Sequence, residues 1–304
     1  MTDELVPLPL VYSTLLISII GVFGNLTIVV ITVKTRALHT RCSILIAILA
    51  FFDFIVCVHL VQLRFLMIFK VHHMANSTCF YHSAYGIFAM NMQSILGLFI
   101  GVDRLCIVSN PVKYSRTPIL FYLVAFFLCI VLSLAIVVNG FFFISTEKIV
   151  PVCLPVTALN DFSLRVWLGI NFAIAVSVVF VYGWTHVKCQ ALRANHRHAN
   201  TIGAVKRILK SLAVIIALYV CTWFLAITSL FFTDILKVDP RLTEQIQRWL
   251  GWFVVCNSSL HVFVYFWRTP EYRKAILRFY GFGRNSQNSS RVPVSQLQKH
   301  PVAL

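Results

Sequence analysis

The chain contains seven apolar segments, each long enough to cross a lipid bilayer as a helix. A helix that spans the hydrocarbon core of about 30 Å needs about 20 mostly apolar residues. Hydrophobic residues make up 59% of the chain and charged residues 12%, which leaves too little polar surface for a soluble globule. The sequence predicts an all-α membrane protein with spans at Leu10–Val33, Cys42–Leu63, Tyr81–Val108, Ile119–Ile144, Phe162–Val187, Ile208–Phe232 and Leu250–Trp267.

The segments outside the spans are short. Residues 1–9 carry two acids rather than the basic region of a signal peptide, so we expect the first span to be retained. Residues 10–267 are predicted to form the seven-transmembrane domain, residues 268–282 a short amphipathic eighth helix, and residues 283–304 a disordered, Ser/Asn-rich tail. Four serines of that tail are candidate phosphate acceptors: Ser286, Ser289, Ser290 and Ser295.

Basic residues are concentrated on one side of the predicted spans. The odd-numbered connections and the C-terminal tail together hold 19 of the 26 basic residues, whereas the other side has equal numbers of bases and acids. Because Lys and Arg near span ends favour the cytoplasm, the sequence predicts an N-terminus outside the cell. Attraction to an anionic inner leaflet accounts for the net charge of +16, so no nucleic-acid partner is expected.

Two of the nine cysteines, Cys79 and Cys153, fall on the predicted outer side. A bridge between them would tie the connection after span four to the start of span three; two free thiols are the alternative. Asn76, in Asn-Ser-Thr, is a candidate glycosylation site on the same side.

Asp53 is the only acid deep within a predicted span, where an ionised group is costly unless it is paired or hydrated. Polar residues of three other spans are natural partners across a bundle. The group is either a cation site, with sodium the candidate ion, or a hydrogen-bond network without an ion; its members are Asn25, Gln93, Ser94, Asn257, Ser258 and His261.

These anchors, taken in order along the chain, resemble the rhodopsin-like G-protein-coupled receptors. The resemblance rests on Gly24-Asn25, Asp53, Cys79, Asp103-Arg104 with Pro111 and Tyr114, Tyr182, Tyr219 with Trp223, Asn257-Ser258 with Tyr265, and Glu271-Tyr272-Arg273. The stretches from Gly24 to Ile46 and from Val264 to Ala275, with Cys-Leu-Pro around Cys153, are similar to the Srsx class of nematode serpentine chemoreceptors.

The resemblance implies a receptor in the cell membrane that binds a ligand outside and activates a heterotrimeric G protein inside. An ion pair between adjacent Asp103 and Arg104 would hold the resting state. Span six has no acid to hold Arg104, which predicts a weak lock and ligand-independent activity. The residues expected to carry coupling are Asp103, Arg104, Pro111, Tyr182, Lys206, Arg207 and Tyr265.

The chain also departs from that pattern. None of the ten prolines lies inside a span, so a bend must come from Gly183, Gly251 or local unwinding. His261 and Val262 replace the Asn-Pro of the motif in span seven, and Gly86 stands where amine receptors have an aspartate. Residues near the outer half of the bundle that are expected to line a ligand pocket are His59, Gln62, Tyr85, Met90, Asn91, Trp223, Trp249 and Trp252.

Other classes of protein fit less well. A transporter usually shows internal symmetry or Gly/Pro-interrupted helices, and a seven-helix ligand-gated channel of the insect type would have its N-terminus inside. Metal-ligand spacing, a nucleophile elbow and a phosphate loop are all absent from the sequence, so neither an enzyme nor a cofactor is expected. The sequence therefore favours a receptor for a small molecule or a short peptide.

Overall fold

The computed structural model describes residues 7–71, 73–195, 213–214 and 216–282. Seven helices in this part of the chain are long and apolar enough to cross a membrane. They confirm the predicted seven-helix bundle, and they are α1 Leu8–Lys34, α2 Arg41–Ile68, α3 Asn76–Ser109, α4 Ile119–Phe142, α5 Asp161–Asn195, α6 Ile216–Ile235 and α7 Pro240–Arg268.

Several helices are longer than their apolar segments. The largest difference is in α7, which begins at Pro240 rather than Leu250. Proline suits the first position of a helix, and the Asp239 carboxylate caps this one by accepting a hydrogen bond from the Leu242 amide at 3.4 Å. The Thr40 hydroxyl caps α2 in the same way, through the Ser43 amide. The predicted start of span six lies outside the described residues.

Helix α3 lies at the centre of the bundle and packs against α2, α4 and α5. Met92 and Leu96, halfway along it, are fully buried. Helix α4 lies at the periphery and exposes most of its apolar side chains, including Phe127 and Leu132. Such a surface suits lipid tails, so the arrangement agrees with a multi-pass membrane protein.

Helix α6 contains one turn of π-helix, at Val220–Phe224. A π-turn is a local unwinding of the α-helix and is often found at functional sites. Thr222 and Trp223 are buried within it. Local unwinding, one of the expected sources of a bend in a span without proline, is therefore present in α6.

One end of the bundle, which we call the disulfide end, is closed by a connection between α4 and α5. Two short antiparallel strands, β1 Met74–Ala75 and β2 Ile149–Val150, join this connection to the start of α3. A disulfide between Cys79 and Cys153 lies beside them and confirms the predicted bridge.

The opposite end, which we call the Arg104 end, carries a short helix α8, Pro270–Phe279. The Tyr272 hydroxyl donates to the carbonyl oxygen of Ser43 at 3.2 Å and lies 3.1 Å from the Thr32 hydroxyl. Burial raises the pKa of Tyr272 above that of a free tyrosine. These contacts fix α8 to α1 and α2.

Candidate functional site

A cavity of about 290 Å³ lies in the Arg104 half of the bundle. It extends from Trp223 in the π-turn of α6 to Glu271 at the start of α8. The cavity joins two sets of residues that the sequence analysis treated separately, the coupling residues and the polar network. Its polar lining is Gln93, Ser94, Arg104, Tyr182, Tyr219, Asn257, His261, Tyr265, Arg268, Thr269 and Glu271.

Arg104 lines this cavity, and the ion pairs recorded among the described residues do not include it. The expected pair with Asp103 is therefore wrong for this structure. Asp103 faces α4 instead. There its Oδ1 accepts a hydrogen bond from the Tyr122 hydroxyl at 2.7 Å, while Oδ2 has no partner among the described residues.

Asp103 thus lies beside a group of aromatic and basic residues, Arg41, Tyr114 and Tyr122, whose association was not predicted from the sequence. The Arg41 guanidinium stands 5.7 Å from the ring centres of both Tyr114 and Tyr122, and Arg41 donates to the Tyr114 carbonyl oxygen at 3.2 Å. Burial raises the pKa of Tyr114, and the Asp103 charge acts in the same direction. The sequence signal that could have identified Tyr122 is its hydroxyl group, which stands among the apolar residues at the start of span four.

Pro111 begins the helical turn Pro111–Ser115, which carries Tyr114 between α3 and α4. Proline is suited to this first position because its missing N–H would have no partner there. Lys206 and Arg207, the remaining predicted coupling residues, lie outside the described residues.

Three tyrosines from different helices face the cavity below Trp223. The Tyr182 hydroxyl donates to the Gly97 carbonyl oxygen at 3.4 Å, and its ring occupies the space where a side chain at Gly101 would stand. Tyr219 is partly buried and its hydroxyl has no partner among the described residues, while Tyr265 packs against Tyr272 of α8. A cavity bordered by three phenols and two guanidinium groups can accept hydrogen bonds from, and donate them to, an entering peptide.

The polar network is present, but only one of its members contacts Asp53. His261 Nδ1 lies 2.6 Å from Asp53 Oδ2, and Asp53 is fully buried. Three of the other members, Asn25, Gln93 and Ser258, bond one another. The Asn25 amide donates to the Ser258 carbonyl oxygen at 2.8 Å, and Gln93 lies 3.3 Å from the Ser258 hydroxyl.

Helix α6 joins the network through a residue that the sequence analysis missed. The Thr222 hydroxyl, in the π-turn, donates to Asn257 Oδ1 at 3.1 Å. Thr222 also bonds the Leu218 carbonyl oxygen one turn earlier. The unwound turn of α6 and the polar face of α7 are therefore linked by a side-chain hydrogen bond.

The candidate sodium site fits the residues in part. Three buried oxygen atoms of the network, Asn25 Oδ1, Asp53 Oδ1 and Ser94 Oγ, have no partner among the described residues, and oxygen is the ligand type that hard cations prefer. The other Asp53 oxygen is already in contact with His261. Sodium and a protonated His261 are therefore alternative ways to balance the same carboxylate.

Asn76 is placed where a glycan cannot be attached. Its side chain is fully buried, and its amide nitrogen donates to the carbonyl oxygens of Thr157 and Ala158 at 3.0 and 3.1 Å. Its Oδ1 accepts from the Ser145 amide at 3.1 Å. The glycosylation prediction is wrong because this asparagine instead holds the α4–α5 connection against α3.

The residues predicted to line a ligand pocket do not form one group. Trp223 lies in the cavity of the Arg104 half, and Met90 is buried in the core. Asn91 links α3 to α5, because its Oδ1 accepts hydrogen bonds from Trp167 at 2.9 Å and Asn171 at 3.2 Å.

Trp249 and Trp252 of α7 differ in exposure. Trp249 is 61% exposed and points away from the bundle, so its assignment to a pocket is wrong. Trp252 is half-buried. Apolar and polar residues alternate near the start of α7, and the sequence did not show which face turns inward.

His59, Gln62 and Tyr85 do come together, between α2 and α3 at the disulfide end. The Tyr85 hydroxyl donates to Gln62 Oε1, and the His59 and Tyr85 rings meet edge to face with centres 5.1 Å apart. The His59 ring fills the space that a side chain at Gly86 would need. An aspartate at position 86 would not fit beside this histidine.

Comparison with known proteins agrees with this geometry. Residues 18–280 match the family described as serpentine type 7TM GPCR chemoreceptor Srsx. The chain is 25% identical to trace amine-associated receptor 7e of Rattus norvegicus, over 85% of this chain and 78% of that receptor. It is also 25% identical to trace amine-associated receptor 9 of Mus musculus, over 89% of this chain and 84% of that receptor.

The family match covers six of the seven spans completely and most of the first. It excludes the channel, transporter and enzyme alternatives, since members of this family are receptors that bind a ligand and couple to a G protein. It also confirms the location in the cell membrane. With the Cys79–Cys153 bridge, the buried Asp53 and the Arg104 cavity in place, the chain belongs to the Srsx family of serpentine seven-transmembrane G-protein-coupled chemoreceptors.

Proposed function

We propose that the Arg104 end of the receptor faces the cytosol and that its cavity receives a segment of a heterotrimeric G protein. The observation that carries this proposal is the continuity of the cavity from Trp223 to Arg104. Such a space gives a partner access to the guanidinium and the three tyrosines. It also gives the partner access to the π-turn, through which a ligand signal would pass.

Charge supports the same orientation. Arg104, Arg268 and Arg41 lie at this end, whereas the disulfide requires an oxidising compartment at the other. A sequon introduced before Pro7 tests it: glycosylation of the N-terminus in intact cells is expected, and an unglycosylated, cytosol-accessible N-terminus would contradict the proposal.

Replacing Arg104 tests the coupling role. Arg104→Ala is expected to reduce receptor-dependent nucleotide exchange, measured on a panel of G-protein chimeras, to the level of mock-transfected cells at matched surface expression. The matched control is Arg165→Ala, which removes an exposed arginine paired with Asp234 at the disulfide end and should leave exchange unchanged. Equal exchange in parent and Arg104→Ala would contradict the proposal.

The ligand is proposed to be an extracellular small molecule or short peptide that binds at the disulfide end. The serines of residues 283–304 lie outside the described residues. Their proposed role, binding of arrestin after phosphorylation, is tested by replacing Ser286, Ser289, Ser290 and Ser295 with alanine and measuring agonist-induced internalisation.

A further inference from the structure

Arg64 is the most unusual charged residue at the disulfide end. It lies in α2, four residues before that helix ends, and it is 5% exposed. A lipid-facing arginine near a span end usually extends toward the headgroups, but this one points into the bundle. Its burial removes the ordinary explanation for an arginine at this position.

The Arg64 guanidinium has no acidic partner among the described residues. Its Nη1 donates to the thioether of Met67 at 3.2 Å, which is a weak acceptor, and its Nε has no partner. The described ion pairs at this end join Lys148 to Asp161 and Arg165 to Asp234 instead. A buried charge without a partner is costly, so its presence calls for an anion from outside the described contacts.

The guanidinium reaches α7 at Gly251. Arg64 Nη2 lies 3.6 Å from the position that a Cβ at Gly251 would occupy, which is an ordinary contact distance. Apart from residues 250 and 252 and the adjacent α7 backbone, no other described atom comes within 4 Å of that position. The absence of a side chain at Gly251 therefore leaves a methyl-sized space beside the charged group.

His59 adds a second buried donor to the same region. It lies five residues before Arg64, or about 7.5 Å along the helix, and it is fully buried with neither ring nitrogen in a hydrogen bond among the described residues. The adjacent polar contacts, from Tyr85 to Gln62 and between Gln62 and His82, also lack a carboxylate. Two unused donors, one of them cationic, match a ligand that brings negative charge.

We propose that Arg64 and Gly251 form the anchoring site for the carboxylate of a small organic acid, so that this receptor recognises an acid rather than an amine. The proposal rests on the proposed function, since it names the ligand class of that receptor. A guanidinium binds a carboxylate through two parallel hydrogen bonds. The trace amine-associated relatives are named for the opposite charge, and the His59 ring leaves no space for an acid at position 86.

The test uses full-length receptor in nanodiscs of zwitterionic lipid and a panel of matched triplets, each an acid, its primary amide and the corresponding amine on one carbon skeleton. Thermal stabilisation is measured for every compound. We expect stabilisation by acids within some triplets and by none of the amides or amines. Arg64→Gln should weaken the apparent affinity for those acids by about tenfold or more, and Arg165→Gln should not change it.

Several results would overturn the proposal. They are stabilisation by amides or amines comparable to that by acids, no response to any acid, and an equal response in Arg64→Gln. A rise in stability on adding anionic lipid alone, present in the parent and lost in Arg64→Gln, would identify a lipid headgroup as the occupant and would overturn it too.

A measurement without ligand separates binding from structure. If the Arg64 charge is unpaired until a ligand anion binds, Arg64→Gln removes an unpaired charge and should leave the melting temperature of the ligand-free receptor equal or higher. A large decrease would show that Arg64 stabilises the fold instead. Glu244→Gln, in the same helix as Gly251, should not reproduce the effect, and if it does the charge has an internal partner and the proposal fails. Failure of the coupling proposal is distinguishable, because it appears in Arg104→Ala and leaves acid binding intact.

Discussion

The charge of Asp53 depends on one neighbour, since only the His261 imidazole reaches it among the described side chains. The sequence predicted six polar residues as partners of Asp53, and only His261 among them bonds it. Position along the chain identified the buried acid and its candidate partners. It did not show the rotation of each helix, which decides that Asn25, Gln93 and Ser258 bond one another instead.

Replacing His261 by asparagine is expected to make the receptor more sensitive to sodium. The change removes the nitrogen that lies 2.6 Å from Asp53 Oδ2, so that a cation becomes the remaining counter-charge for a fully buried carboxylate. A ligand that binds only the native state stabilises it. The melting temperature of His261→Asn should therefore rise more than that of the parent when choline chloride is replaced by sodium chloride.

Asp53→Asn is the control, because it removes the carboxylate and should abolish the sodium response in both backgrounds. An identical response to sodium in the parent and in His261→Asn would show that the histidine does not neutralise this acid.

Tyr122 holds Asp103 away from Arg104, and removing its hydroxyl should strengthen the resting lock. In Tyr122→Phe the carboxylate loses the donor at 2.7 Å, and the adjacent guanidinium becomes its best available partner. A hydrogen bond to a charged group contributes about 1.5–3 kcal/mol, so ligand-independent nucleotide exchange should fall severalfold. The double variant with Asp103→Asn should not show this decrease; unchanged exchange in Tyr122→Phe would rule out the mechanism.

At the scale of helices, the apolar segments predicted which elements exist but not where they end. A bilayer requires about 20 apolar residues of a helix and places no limit on a polar extension. The extension of α7 to Pro240 depends on a cap and a proline. The π-turn of α6 was equally hidden, because an extra residue in one helical turn leaves no fixed sequence signature.

The contact between α3 and α5 depends on the absence of a side chain at Gly101. A Cβ there would stand 2.8 Å from Tyr182 Cδ2, closer than any real contact. Gly101→Ala is expected to separate the helices or displace the ring from the cavity, with a loss of about 1–3 kcal/mol in the free energy of unfolding and reduced coupling.

Gly183→Ala is the matched control for that prediction. Gly183 follows Tyr182 in α5, and nothing lies within 4 Å of its Cβ position among the described residues. Alanine is favoured over glycine inside a helix, so this variant should be as stable as the parent or more so. Equal melting temperatures for Gly101→Ala and Gly183→Ala would show that the packing at Tyr182 is not limiting.

At the scale of the whole molecule, the two ends of the bundle are built for different tasks. The disulfide end is closed by β1, β2 and the bridge, and its buried Asn76 fastens the connection to α3. The Arg104 end contains a cavity and a guanidinium without an ion pair among the described residues. The hydrogen bond from Thr222 to Asn257, in the π-turn of α6, joins α6 to α7.

Cys153→Ser should separate these two tasks. The bridge joins residues 74 apart in the sequence, and removing a disulfide from a native domain typically costs about 2–5 kcal/mol. We expect lower surface expression, a lower melting temperature and loss of the agonist response, because the connection over the disulfide end is released. At matched expression, ligand-independent nucleotide exchange should persist, since the Arg104 cavity has no contact with the bridge.

Cys106→Ser, which removes an exposed free thiol of α3, controls for cysteine loss itself. Loss of basal exchange in Cys153→Ser at matched expression would show that the two ends are not independent.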